Sequence, residues 1–131
     1  MSLKLENIKV NMGGHEILHN INLDVNSGEF ISLLGPSGCG KSTLLKTIAG
    51  LNDLQEGKII LLGNEIQNTS PEKRGTVIVF QDLRLFPHLS VEKNIAFAMN
   101  LNKVNKIKQK EVVSKLLKDV QLEECIHIGF I

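Results

Sequence analysis

Apolar and polar residues alternate along the amino-terminal part of the chain. Apolar residues occupy nearly every second position from Leu3 to Val10, and the alternation is regular from Ile21 to Val25. A period of two is typical of strands with one buried face. Gly13-Gly14 lies between these segments and predicts a turn. Because the connections are too short for crossover helices, we predict an antiparallel β-rich layer.

Three apolar segments farther along predict buried strands. They are Phe30–Leu34, Lys58–Leu62 and Val77–Phe80, and Gly63-Asn64 supplies a turn after the second. Gln81 directly follows the third segment. Ligands of open α/β sheets bind at the carboxyl ends of strands, so Gln81 is a candidate site residue.

Helical spacing of apolar residues predicts three helices. Leu44, Leu45, Ile48 and Leu51 mark one face of the first helix, which we expect Gly50 to cap. The second follows a cap at Ser90 and continues to about Leu101, and the third covers about Ile107 to Val120. A Ser-Pro pair also predicts a single helical turn near Glu72 to Arg74. With the predicted strands, these helices indicate an α/β protein.

A glycine-rich loop lies between the first apolar segment and the first helix, and it fits the phosphate-binding pattern G-x-x-x-x-G-K-[ST] at every required position. The loop consists of Gly35, Pro36, Ser37, Gly38, Cys39, Gly40, Lys41 and Ser42, followed by Thr43. A helix that leaves such a loop points the positive end of its dipole at bound phosphates. The alternative, a chance glycine-rich turn, does not explain the strand and the helix that flank it.

The residue types of this loop suit a phosphate group. Glycines at positions 35, 38 and 40 allow successive backbone N–H groups to turn inward around an anion. Lys41 adds a mobile positive charge, and the hydroxyl group of Ser42 suits Mg²⁺. We interpret Cys39 as a small residue that fills the loop, with a redox sensor as the alternative. The sequence therefore predicts a phosphate site with a magnesium ion.

Length, charge and the first residues narrow the class of protein. The chain has 131 residues and a formal net charge of +1, which fits one modest domain. Six lysines from Lys103 to Lys118 could form a basic binding face. We interpret them as a solvated helix side and predict no nucleic-acid partner, because no aromatic residues are interleaved to stack bases. The start lacks the apolar core of a signal peptide, so we expect a cytoplasmic location.

Several motifs, in order, resemble the first half of an ATP-binding cassette (ABC) domain, the ATPase subunit of membrane transporters. They are Ile21–Val25 with Gly28-Glu29, Gly35–Thr43, Ala49–Leu51, Gly57–Ile59, Val79–Gln81 and Leu85–Val91. The resemblance implies a P-loop NTPase core with an amino-terminal antiparallel β layer and the start of a helical subdomain. A phosphate loop alone could belong to a small kinase or GTPase, but the segments around Gln81 and Phe86-Pro87 are specific to this family.

The resemblance also implies roles for the site residues, with ATP and Mg²⁺ as the cofactors. Lys41 would hold the β and γ phosphates, Ser42 would coordinate Mg²⁺, and Thr43 would join the loop N–H groups on the remaining phosphate oxygens. Gln81 resembles the glutamine that senses the metal and the attacking water, because an amide can both accept and donate hydrogen bonds without adding charge. The alternative is that Gln81 is only a polar strand end.

The resemblance implies two kinds of protein partner. The loop Asp82–Val91 is similar to the region that contacts transmembrane permease subunits. Its sequence Leu85-Phe86-Pro87-His88 resembles that of importers more than that of exporters. The side chains of Leu85 and Phe86 could instead pack inside the domain. A second ATP-binding subunit and a peripheral position on the inner face of the cell membrane are also expected.

Two departures from the family pattern qualify the resemblance. Relatives carry an aromatic residue that stacks on adenine where this chain has Met12, which lacks a flat stacking face and could be a buried filler. The family's serine-glycine-rich signature, its strand with an acidic pair and its switch histidine do not occur. Glu123-Glu124 is no substitute for the acidic pair, because no apolar strand precedes it.

We expect one partial nucleotide-binding domain over residues 1–131. It comprises a β layer with the P-loop core (1–81), the start of a helical subdomain (82–124) and an atypical tail (125–131). Our hypothesis for the tail is a premature stop or a frameshift near residue 125. The rival explanation is a deliberately chosen boundary. Without two family strands, a gap of roughly 10 Å would separate Val77–Phe80 from Phe30–Leu34, and the isolated chain would be unstable or partly molten. A truncated binding or docking module that does not hydrolyse ATP is the alternative function.

Overall fold

The computed structural model describes residues 2–82 and 84–129. The chain falls into two compact units, Met1–Val79 and Phe80–Ile131, and each is described separately below. The sequence-based division after residue 81 stays a prediction.

The first unit contains a four-stranded antiparallel sheet. Its strands are β1 (Leu3–Met12), β2 (His15–Val25), β3 (Glu56–Leu61) and the short β4 (Asn64–Glu65). They lie in the order β2-β1-β3-β4, with β1 paired to both β2 and β3. The predicted antiparallel layer is therefore confirmed, and β1 is its central long strand.

Irregularities interrupt the pairing of β1 with its neighbours near the middle of the strand. The register with both neighbours shifts after Leu5 or Glu6, and Asn7 has a φ of 52°. The Asn7 backbone N–H, freed from the ladder, donates to Asn22 Oδ1 at 2.9 Å. On the other side of β1, Gly57 has a φ of +106°, and a Cβ there would collide with the carbonyl oxygens of Glu6 and Asn7. A glycine is required at position 57 because the two backbones approach so closely.

One face of this sheet packs against the helix that follows the phosphate loop, α1 (Lys41–Ile48). Three residues of β1 and one residue of β3 supply most of the buried side chains. The buried apolar cluster consists of Leu5, Ile8, Val10, Leu18, Leu44, Ile59 and Ile66. The period-two pattern of the sequence thus corresponds to the core face of the sheet.

Two predicted strands do not form. Neither Phe30–Leu34 nor Val77–Phe80 belongs to any of the four strands. Phe30 and Leu34 are 93% and 90% exposed, and Val77 and Val79 are 92% and 91% exposed. The prediction was wrong because apolar content alone does not create a strand: each strand also needs a neighbour for its backbone N–H and C=O groups. Gln81, predicted at a strand end, consequently follows a segment outside the sheet.

The second unit pairs two helices, α2 (Val91–Leu101) and α3 (Lys106–Asp119). Ala96, Val113 and Leu117 form their shared core. Both helices begin at a side-chain cap, as Ser90 Oγ accepts from the Lys93 N–H at 3.3 Å and Asn105 Oδ1 accepts from the Ile107 N–H at 2.8 Å. The predicted cap at Ser90 is thus observed.

The segment that follows α3 packs back onto the start of α2. Ile126 contacts the shared core of the two helices. Its carbonyl oxygen accepts from the Glu92 N–H at 3.1 Å, and the Ile128 carbonyl accepts from the Val91 N–H at 2.9 Å. The predicted atypical tail is therefore part of the second unit as far as Gly129, while residues 130 and 131 lie outside the described residues. Among the helices described, none is both long and apolar enough to cross a bilayer.

Candidate functional site

The phosphate loop connects the unpaired segment 30–34 to the start of α1. Its glycines have positive φ angles, 158° at Gly35, 84° at Gly38 and 93° at Gly40. The residues from Gly35 to Cys39 are exposed, whereas Gly40 is buried. Positive φ angles let the loop adopt a turn that residues with a Cβ rarely take, so the structure uses these glycines as the sequence predicts.

Gly40 fixes the loop against strand β2. A Cβ at this position would lie 2.9 Å from Leu18 Cδ2 and 3.2 Å from the Ile17 carbonyl oxygen. The backbone at Gly40 can approach β2 only because no side chain intervenes. The loop therefore rests on the strand that also contributes Leu18 to the core.

Lys41 folds back over the loop that precedes it. Its Nζ atom donates to the carbonyl oxygens of Gly35 and Pro36, both at 2.7 Å, and lies 3.4 Å from Cys39 Sγ. The Cys39 sulfur also stands 2.9 Å from where a Cβ on Gly35 would lie. Cys39 thus packs within the loop while remaining exposed to solvent. The ammonium group is held above the exposed backbone by acceptors that phosphate oxygens could replace.

The first turn of α1 offers free backbone donors. Gly40 caps the helix without a side-chain hydrogen bond, and the first turn contains no acidic residue. The first N–H groups of a helix have no partner within the helix. Ser42 is exposed and Thr43 is half-buried at this end. These features fit an anion such as a nucleotide phosphate, since the first turn itself carries no carboxylate that would compete for the donors.

Thr43 is tied to the following turn of the helix. Its carbonyl oxygen accepts from Thr47 Oγ1 at 2.9 Å and from Asn52 Nδ2 at 3.5 Å. Thr47 is buried, so its hydroxyl group needs this acceptor. The contact links the phosphate end of α1 to its opposite end.

The last turn of α1 is followed by a glycine in the left-handed conformation, and an arginine binds the carbonyl oxygens of that turn. Gly50 has a φ of +82°; its N–H donates to the Thr47 carbonyl at 3.1 Å, and the Leu51 N–H donates to the Lys46 carbonyl at 2.8 Å. Arg74 donates to the carbonyl oxygens of Thr47 and Ile48, at 2.9 and 3.0 Å. The sequence analysis missed this contact, because a single arginine in a predicted helical turn gives no signal of a partner 26 residues away.

Met12 is the last residue of β1 and lies near the segment that follows α1. It is 48% exposed, so the alternative of a buried filler is wrong. Together with Asn11, Gly13, the segment 51–53 and Gln55 it lines an open depression of about 340 Å³. Its predicted contact with adenine stays a prediction.

Gln81 and the predicted docking loop belong to the second unit. Gln81 is exposed, and nearby the guanidinium group of Arg84 lies 4.7 Å from the centre of the Phe80 ring. Leu83, within the predicted loop Asp82–Val91, lies outside the described residues. The roles of Gln81 in catalysis and of Gln81 and Ser42 in metal binding stay predictions.

Asn94 on α2 binds the backbone of the loop that precedes the helix. Its Nδ2 atom donates to the carbonyl oxygens of Phe86, Leu89 and Ser90, each at 3.1 Å, and its Oδ1 atom accepts from the Phe86 N–H at 2.8 Å. The Phe86 ring packs on Phe97, with 4.4 Å between the ring centres. Phe86 is nevertheless 39% exposed, so one side packs within the unit while the other faces solvent. Asn94 was also missed from the sequence, where it is one polar residue within a helical pattern.

Comparisons with known proteins agree on one family. A family profile described as "ABC transporter" matches residues 18–129. The chain is 45% identical over 122 residues to the spermidine/putrescine import ATP-binding protein PotA of Haemophilus influenzae, a match that covers 93% of this chain and 33% of that protein. It is 42% identical over 124 residues to the Fe(3+) ions import ATP-binding protein FbpC of Fusobacterium nucleatum, covering 95% and 33%.

Solved structures give the same result for the fold. The dimeric post-hydrolysis state of the ATP-binding cassette MJ0796 bound to ADP and Pi superposes with a TM-score of 0.82 at 26% identity, covering 97% of this chain and 61% of that one. A structure of the ATP-binding subunit of an ABC transporter matches with a TM-score of 0.83 at 23% identity, covering 98% and 54%. This second likeness supports the fold alone. The predicted α/β class is confirmed by both.

The matches cover nearly all of this chain but only part of each relative. The chain spans about a third of the length of the curated relatives that it matches. The profile match excludes the alternative of an unrelated small kinase or GTPase, because it extends well beyond the phosphate loop on both sides. By its sequence and its fold, the chain belongs to the ABC transporter family.

Proposed function

We propose that this chain is the nucleotide-binding part of an ATP-binding subunit of an ABC importer, which couples ATP binding and hydrolysis to solute transport. The observation that carries the proposal is the exposed loop at the start of α1, where Lys41 lies across the carbonyl oxygens of Gly35 and Pro36 and the helix N-terminus has no side-chain cap. The relatives PotA and FbpC, both named as import ATP-binding proteins, support the importer branch.

Different residues of the loop bind the phosphates and the magnesium ion in this proposal. The backbone N–H groups between Gly35 and Thr43 surround the phosphates, and the Lys41 ammonium group neutralises their charge. The Ser42 hydroxyl group is a suitable ligand for Mg²⁺, which supplies further charge neutralisation when bound. Because Lys41 already lies over the loop, its Nζ atom can exchange two carbonyl oxygens for phosphate oxygens without a long movement.

Gln81 is proposed as the residue that positions the attacking water and contacts the metal. Its exposed amide can accept a hydrogen bond through oxygen and donate one through nitrogen. Positioning of this kind provides much of the rate of phosphoryl transfer. The proposal for hydrolysis thus rests on a residue outside the phosphate loop, whereas binding rests on the loop itself.

The partners proposed for the chain are transmembrane permease subunits and a second ATP-binding subunit. The loop Asp82–Val91 would contact the permease, since Leu85 and Phe86 are 44% and 39% exposed and Asn94 binds the backbone carbonyl oxygens of Phe86 and Leu89. Such an assembly would place the chain on the cytoplasmic face of the membrane. The relatives are named for different cargoes, spermidine or putrescine, Fe(3+) ions and sn-glycerol-3-phosphate. We propose no cargo on that basis.

ATP affinity tests the proposal directly. Equilibrium dialysis with ATP and Mg²⁺ should show binding by the chain and a loss of about 10- to 100-fold for Lys41→Ala, the range for one hydrogen bond to a charged group. Lys46→Ala is the matched control, because Lys46 lies in the last turn of the same helix. Equal losses for both variants, or no binding by the unaltered chain, would overturn the proposal. Phosphate release then separates hydrolysis from binding alone.

A further inference from the structure

Arg74 is the one arginine side chain buried in the described part of the first unit. It is 8% exposed, and none of its contacts within the described residues is with a carboxylate. Four backbone carbonyl oxygens surround the guanidinium group instead. They belong to Thr47 and Ile48, on Nη1 at 2.9 and 3.0 Å, to Gln67, on Nη2 at 2.9 Å, and to Thr69, on Nε at 2.8 Å.

These contacts give the arginine a specific mechanical role. The carbonyl oxygens of Thr47 and Ile48 lie at the carboxyl end of α1, where a cation is favourable against the helix dipole. The other two acceptors lie on the segment 67–69, which follows β4. Arg74 therefore joins the end of the phosphate-binding helix to the part of the chain that continues from the sheet. Burial lowers the pKa of Arg74, yet an arginine remains charged at neutral pH.

Gly50 provides the space for this contact. A Cβ at Gly50 would lie 2.6 Å from Arg74 Nε and 2.8 Å from Arg74 Cζ. Gly63 has nearly the same φ, +84° against +82° at Gly50, but a Cβ there would meet nothing within 4 Å. The two glycines differ in whether a side chain would displace the guanidinium group.

The helix connects Arg74 to the phosphate loop over a short distance. α1 has eight residues, so at 1.5 Å per residue it is about 12 Å long. The bond from Thr47 Oγ1 to the Thr43 carbonyl braces its interior at 2.9 Å. Because the helix is this short, a tilt at its carboxyl end would also displace the N–H groups at its start.

We propose that Arg74 is a positioning residue for nucleotide phosphate: it holds the carboxyl end of α1 so that the first turn of the helix faces the phosphate loop. The inference rests on the proposed nucleotide-binding function. It distinguishes two roles for the same contact. A residue that only stabilises the fold changes the fraction of folded molecules, whereas a positioning residue changes the affinity of the molecules that are folded.

The test measures affinity per folded molecule. Arg74→Lys keeps the charge but loses the planar set of donors, and Gly50→Ala keeps the arginine but displaces it. Equilibrium dialysis at low temperature gives the affinities for ATP and for inorganic tripolyphosphate, and circular dichroism of the same samples gives the folded fraction. Lys73→Gln and Gly63→Ala are the matched controls, since Lys73 is exposed beside Arg74.

We expect both Arg74→Lys and Gly50→Ala to bind ATP and tripolyphosphate about tenfold more weakly per folded molecule. This is the factor for the loss of one charge-assisted hydrogen bond between a phosphate and the first turn of α1. The affinities of both control variants should stay within about twofold of that of the unaltered chain. Unchanged affinity per folded molecule, or complete unfolding of both variants at low temperature, would assign Arg74 a purely structural role and overturn the inference. If the unaltered chain binds neither ligand, the proposed function fails and the inference fails with it; binding that depends on Lys41 but not on Arg74 removes the inference alone.

Discussion

Replacing valine by threonine at buried and exposed positions tests the most unexpected feature of the fold. Val77 and Val79 lie in an apolar segment that the sequence predicts as a buried strand, yet they are 92% and 91% exposed. Val10, on the central strand β1, is 1% exposed. The same nearly isosteric change at these positions compares a buried site with two exposed ones.

The expected destabilisation is at least about two to six times larger at the buried position than at the exposed ones. At Val10, threonine would bury a hydroxyl group in an apolar cluster, which costs about 1–3 kcal/mol in protein mutational data. At Val77 or Val79, substitutions on the surface stay within about 0.5 kcal/mol. The difference follows from burial alone, because the volume of the side chain hardly changes.

Amide hydrogen exchange measured by NMR is the appropriate assay. Exchange in β1 and β3 reports the free energy of opening and does not require a cooperative thermal transition. Val10→Thr should accelerate exchange of these amides by about 5- to 150-fold, the equivalent of 1–3 kcal/mol, whereas Val77→Thr and Val79→Thr should leave it within about twofold. If Val77→Thr accelerates exchange as much as Val10→Thr, the segment is packed, and the reasoning from exposure fails.

Two further predictions concern the loop and the edge of the sheet. Gly40→Ala should lower both the free energy of unfolding and the ATP affinity more than Gly38→Ala. Both glycines have positive φ angles, so both alanines share a strain of about 1–2 kcal/mol, but only a Cβ at Gly40 would meet a strand. Urea unfolding and equilibrium dialysis measure the two effects, and equal effects of the two variants would contradict the argument. The pKa of Glu65 is lowered by its hydrogen bond from Lys58, so the stabilisation should be present above pH of about 4.3 and lost as pH falls through the lower pKa of the folded state. An NMR titration of the carboxyl carbon checks the direction, with Lys58→Met as the variant that should return the pKa towards 4.3.

Local patterns in the sequence predict the antiparallel layer well. The alternation from Leu3 to Val10 describes β1, and the turn at Gly13-Gly14 joins it to β2 as expected. Short connections leave few choices of topology, so neighbouring strands pair with each other. Ser90 and the helical spacing after it likewise predict α2 to within one residue. Each of these features depends on residues that are near each other in the chain.

The incorrect predictions involve partners that are far away in the chain. Phe30–Leu34 and Val77–Phe80 have the composition of central strands, but a strand depends on the neighbour that accepts and donates its hydrogen bonds. Arg74 was missed for the same reason, since its acceptors on Thr47 and Ile48 lie 27 and 26 residues away. Asn94 was missed although its acceptors lie only four to eight residues away. Their acceptors are backbone carbonyl oxygens, which every residue carries, so the sequence offers no complementary charge or motif to signal the contact.

The phosphate loop combines both kinds of determinant. The contacts of Lys41 reach back at most six residues, and they follow from the motif itself. The position of the loop depends on the close contact of Gly40 with β2, and the position of the carboxyl end of α1 depends on its hydrogen bonds from Arg74. A motif therefore specifies which groups can meet a phosphate, whereas the surrounding fold determines how firmly they are held. For this reason the affinity of the loop should respond to Arg74 even though the motif ends at Thr43.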